Sequence, residues 1–133
     1  MQPNWKPAKG SGRLARHERR SAERQALEDA YAEVDLRDQS ICAVTGRFTK
    51  AKAPDARVRR EHHHLKGRNV RPDWVYQARR IVTVCAEAHD LITGGFIEVE
   101  GTDATKPLFF HWREDMMRGR LKPFRIVGKR TAA

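Results

Sequence analysis

The run Glu61-His62-His63-His64-Leu65 and the segment Cys85-Ala86-Glu87-Ala88-His89 hold four of the six histidines in the chain. Three adjacent imidazoles are costly to crowd into an apolar core, because each ring carries nitrogen atoms that need partners. A metal ion and an acidic substrate would give them a use. Imidazole is the commonest metal ligand, and its titration near neutral pH suits it equally to general-base work. The same triplet also suits a solvated strand edge in a basic loop, and by itself it does not separate the two readings. The two cysteines, Cys42 and Cys85, make no disulfide framework and read as buried apolar side chains. His17 and His111 have no partner in the pattern and read as surface or packing residues.

The elements that must position these rings follow from propensity and periodicity. Residues 57–65 read as a strand. Residues 80–85, rich in β-branched side chains, read as a second strand. Residues 86–93 read as a short helix with Leu91 and Ile92 to pack and Gly94-Gly95 to stop it. A strand–loop–strand–helix unit of this kind brings His63, His64 and His89 together. Upstream, residues 1–12 read as a flexible basic arm and residues 13–36 as a helix. In that helix Leu27, Tyr31 and Val34 fall at i, i+4 and i+7, one apolar stripe for docking, while the charged first half either lies along a polyanion or frays. Residues 47–60 form a loop around Pro54. Residues 70–79 hold a short helix starting at Pro72, where proline is tolerated, and make Trp74 and Tyr76 packing residues rather than stacking platforms. Residues 96–99 and 108–112 flank Gly101 as a β-hairpin. The fold class is therefore α+β, with one domain over 13–112 and a basic tail over 113–133.

Length, hydropathy and charge narrow the function. A chain of 133 residues with 39% hydrophobic content and a mean hydropathy of −0.77 supports one modest core. No apolar run is long enough to span a membrane and the N-terminus does not read as a signal peptide, so a cytoplasmic protein is expected. The net charge of +10 is unevenly placed. Residues 1–24 and 113–133 each carry seven bases and two acids, a net of +5 apiece. Residues 47–80 carry eleven bases and three acids, +8, whereas 25–46 and 81–112 are each −4, with one base and five acids. Basic charge gathered on the tails and around the histidine strand is the footprint of a polyanion, with nucleic acid the default partner. Around the strand, Arg59, Arg60, Lys66, Arg68 and Arg71 are the candidate nucleic-acid contacts.

The pattern as a whole resembles the HNH endonuclease family, the ββα-metal fold, and in particular its small phage and prophage versions. The resemblance is carried by Val34 to Arg47, by Glu61-His62-His63-His64-Leu65 with Arg68 beyond it, by Ile81 to Ile92, and by the hairpin segment Phe96 to Phe110. It implies a core with an N-terminal helix and a C-terminal β-hairpin. It implies roles as well: His63 and His89 as ligands of one divalent ion (Mg²⁺, Mn²⁺, Zn²⁺ or Ni²⁺), His64 as the general base, and Arg68 and Arg80 as catalytic supports. The implied reaction is metal-assisted phosphodiester hydrolysis of DNA, expected to be double-stranded, in a bacterial cytoplasm and beside a phage packaging or recombination protein. The sequence departs from the family at two places. Arg80 stands where the family has an asparagine, and a guanidinium has no acceptor with which to copy the amide. The Cys-x-x-Cys knuckles of many relatives are reduced to Cys42-Ala-Val-Thr45 and Cys85-Ala-Glu-Ala88, so no structural zinc is expected. These departures sustain an alternative: a catalytically impaired HNH-fold protein that binds nucleic acid or plays a structural part.

Overall fold

The computed structural model describes residues 12–67, 70–117 and 124–125. The basic arm, Arg68 and most of the tail lie outside the described residues. The elements run α1 (Gly12–Asp38), β1 (Arg60–His64), two 3₁₀ turns (Pro72–Trp74 and Ala78–Arg80), β2 (Ile81–Cys85), α2 (Ala86–Thr93), β3 (Ile97–Glu100), β4 (Phe109–Trp112), α3 (Arg113–Met117) and β5 (Phe124–Arg125). The protein is mixed α+β, with two small antiparallel sheets, β1-β2 and β3-β4-β5.

The five residues of β2 are all buried, which explains why this segment is nearly continuously apolar rather than alternating. Ile81 packs with Ala30, Val34 and Ala78 under α1, with Tyr31 at the margin. Val82 and Val84 face the main core, with Ala88 of α2, Ile97 of β3, and Leu108 and Phe110 of the second hairpin. A two-stranded sheet leaves one edge of β2 open, and buried edge groups need partners. The end of α1 supplies one: Asp38 accepts the Thr83 N–H at 3.0 Å, and the Thr83 carbonyl accepts from Ala43 N at 2.9 Å. Arg37 grips Asp38 at 2.8 Å and donates to the carbonyls of Ala78 and Ile81 at 2.8 and 2.7 Å. An arginine–aspartate pair thus ties the helix end to β2, the strand that pairs with the histidine strand β1.

The ends of α2 are set locally. The Cys85 sulfur accepts the Ala88 N–H at its start. At its close Gly95 takes φ +82 and the Phe96 N–H bonds back to the Leu91 carbonyl at 2.9 Å, the left-handed stop that only glycine adopts cheaply. Three expectations shift. β1 is shorter than residues 57–65, because its partner offers only the register Arg60↔Cys85 to His64↔Ile81. The helix expected after Pro72 is two separate 3₁₀ turns, each closed by an i→i+3 bond such as Val75 N to Pro72 O, and the second of them takes Arg80 out of the strand. The basic tail, whose first part could form a helix, opens with α3 and then adds an unexpected strand: Phe109 and Phe110 of β4 pair with Arg125 and Phe124 of β5.

Candidate functional site

Strand alternation divides the histidine run between two faces. Glu61 and His63 fall on one, His62 and His64 on the other. On the first face α2 brings His89 to His63, with ring centroids 5.4 Å apart and planes at 72°. Glu61 Oε1 lies 2.7 Å from His89 Nδ1. A carboxylate can only accept, so Nδ1–H donates and the lone pair of His89 is on Nε2. His63 has no side-chain hydrogen bond among the described residues. Burial, and then the like charges of His89 and His64, push its pKa down to about 4. Its ring is therefore neutral near pH 7, with a basic nitrogen available.

Two imidazoles edge to face, one of them oriented by a carboxylate, fit a divalent ion in donor type and in outer support. Nitrogen donors suit Zn²⁺ or Ni²⁺ better than Mg²⁺, which prefers oxygen. Among the described residues no group of three or more His, Cys, Asp or Glu side chains is drawn together as a complete cage. The fit is thus to an open, two-imidazole position.

The other face is closed by α1. His62 stacks on Tyr31, centroids 4.1 Å apart and planes within 10°, and its Nε2 meets Asp35 at 2.7 Å. Arg60 reaches the other Asp35 oxygen at 3.4 Å. His64, the last residue of β1, places Nε2 3.2 Å from the Val75 carbonyl. A carbonyl accepts only, so in the neutral ring Nε2 carries the proton and Nδ1 is the basic nitrogen. The Tyr31 ring meets His64 edge-on at 6.1 Å.

The arginines expected at the site are more committed than their charge suggests. Arg80 donates to the Thr102 carbonyl at 2.6 Å and lies 3.8 Å from the Trp74 ring centroid. Its contacts are with these residues and not with His63, His64 or His89. Arg71 lies over the same ring at 4.0 Å and pairs with Asp73 at 2.8 Å. Two guanidinium groups this close to one centroid occupy opposite faces, so Trp74 is half-buried between two arginines and belongs to neither apolar core cluster, in place of the core packing expected of it. Arg60 also donates to the Thr49 carbonyl, and Arg59 to that of Pro54. Lys66 is exposed. His17 is exposed, while His111 is buried and bonded to Glu100 at 2.7 Å.

Cys42 and Cys85 are buried free thiols in the main core. Each sulfur accepts the N–H three residues ahead, from Thr45 and Ala88, both at 3.4 Å. The Cys85 thiol bond, against the cost of burial, lowers Cys42 to about 5, and the same bond raises Cys85. Each cysteine therefore opens a tight turn that closes on its own sulfur three residues on.

The sequence reading missed Glu61 as the partner of His89. Its signal was available, since Glu61 is two residues before His63 and so shares its face. Tyr31 and Asp35 carried a weaker signal: their i, i+4 spacing puts them on one helix side, but which strand that side meets is not local information. Comparison with family models, with curated proteins and with solved structures found no match.

Proposed function

We propose that this protein is a metal-dependent endonuclease of the HNH type, with β1, β2 and α2 as a ββα-metal core, acting on duplex DNA. The observation that carries the reading is the His63–His89 pair, held at 5.4 Å with Glu61 on His89 Nδ1. His63 and His89 Nε2 would hold one divalent ion, which when bound supplies a Lewis acid for the phosphate and the leaving oxygen. His64 lies on the other face of β1 but is its last residue, and at that strand end its Nδ1 would take the proton from the attacking water; its Val75 bond holds the tautomer that leaves Nδ1 basic. Glu61 fixes His89. Lys66 and the neighbouring basic residues attract the backbone, contacts that position the enzyme but read little sequence. Cleavage therefore has weak sequence preference unless a partner such as a packaging or recombination protein supplies it, and the work is done in the bacterial cytoplasm. No helix among the described residues is long and apolar enough to cross a membrane.

The test is nicking of supercoiled plasmid with Mn²⁺, Ni²⁺, Zn²⁺ or Mg²⁺, and its loss with chelator. A second reading, a nucleic-acid-binding protein without catalysis, is favoured by one observation: Arg80, at the asparagine position, is turned to Thr102 and Trp74. Tight plasmid binding with no nicking under any of these ions would establish it in place of the first.

A further inference from the structure

Most arginines of the folded core already have partners among the described residues, and α1 offers a further basic surface besides Lys66 and its neighbours. Among the described residues a row of unpaired cations runs along α1. Arg16, Arg20 and Arg24 are all exposed, and none makes an ion pair among the described residues. They are four residues apart, so each sits about 6 Å along the helix axis from the next, comparable to the spacing of neighbouring phosphates on one strand. At about 100° per residue the row overlaps the arc that holds Leu27, Tyr31 and Val34 further down the same helix, with Arg24 about 20° beyond its edge. That arc docks on the core, and its Tyr31 touches both His62 and His64. Arg20 and Arg24 also line a cleft of about 250 Å³ with Leu27, Val75 and Tyr76, where Glu23 is the one acid. Val75 is the residue whose carbonyl holds His64. The row therefore leads along one side of the molecule to the residue proposed as the base.

We propose that Arg16, Arg20 and Arg24 form a backbone-tracking rail for duplex DNA, aligned with the His64 side of the histidine strand. The inference deepens the nuclease reading and rests on it for the choice of DNA. The rail contacts consecutive phosphates of one strand and reads no bases.

The experiment compares the full chain with its Arg16→Ala/Arg20→Ala/Arg24→Ala variant, in binding of a fluorescent duplex across a salt series. Alanine favours helix, so α1 survives, as circular dichroism and retained Ni²⁺ binding would verify. Three lost phosphate contacts should make the log–log salt slope shallower by about 2.7, so that between 50 and 200 mM salt the parent loses about 40-fold more affinity than the variant. An unchanged slope overturns the rail. So does an equal change in Lys50→Ala/Lys52→Ala/Arg57→Ala, which removes the same charge from an exposed loop and would reduce the effect to net charge. An RNA duplex bound tenfold more tightly through the same arginines overturns DNA as the partner. Nicking by a protein whose affinity ignores the rail defeats this inference alone. Rail-dependent binding without metal-dependent nicking defeats the nuclease reading alone.

Discussion

The two faces of β1 carry the same residue type and treat it differently. On the α1 face, His62 is stacked, bonded and flanked by Asp35 and Arg60. On the α2 face, His63 is half-buried, lacks a side-chain hydrogen bond among the described residues, and confronts a second histidine whose far nitrogen a carboxylate has fixed. A histidine that the protein satisfies contributes to the fold. A histidine that the protein leaves neutral and without a side-chain partner is ready for a ligand. Chemistry is thus assigned here by partnership and not by residue type.

The sharpest break between the faces is catalytic. His63→Ala and His89→Ala should each abolish nicking and weaken Mn²⁺ or Ni²⁺ binding in calorimetry; unchanged binding in both would sink the site. His64→Ala should lower cleavage by about 10²–10⁴-fold, the usual span for a lost general base, while keeping ion affinity. If that loss appears in His62→Ala instead, the base is on the same face but one strand step earlier.

A smaller effect tests the support of the α2 face. Glu61→Ala frees His89 Nδ1 and should weaken ion binding by about 10–100-fold, with little change in urea stability. Asp35→Ala should do the reverse. It removes the acceptor of both His62 and Arg60, at about 1–3 kcal/mol in urea unfolding, and should leave ion affinity within about twofold. Equal changes in ion affinity from the two variants would show that the faces are not separate.

The smallest effect is a pH dependence of the metal-free protein. His63 binds its proton near 6.5 when unfolded and only near 4 when folded. Between those values the unfolded chain holds more protons, so stability is complete above about pH 6.5 and declines as pH falls toward 4. With allowance for solvent screening the loss is about 1–2 kcal/mol, and His63→Gln should flatten it. A decline that persists in that variant belongs to another group.

What the sequence determined by itself is what short-range physics controls. The β-branched run 81–85 has to be a buried strand, and Gly94-Gly95 has to end the helix that follows it, which brought out α2 to the residue. The i, i+4, i+7 stripe of α1 and the hairpin around Gly101 are equally local. The division of the histidine run obeys the same local alternation, but it corrects the expectation that His63, His64 and His89 come together: His63 meets His89, and His64 falls on the α1 face. Only the tertiary structure decided who meets whom. Glu61 finds His89 28 residues on, Asp35 finds His62 across 27, and Arg80 finds Thr102 across 22. Those pairings depend on the docking of α1 and α2 against β2, a sum of many weak apolar contacts that no short window of sequence contains. The same sum turned Arg80 onto Trp74, broke an expected helix into two 3₁₀ turns, and paired part of the basic tail with β4. Local chemistry proposed the histidines; packing distributed them between the α1 face, with His62 and His64, and the α2 face, with His63 and His89.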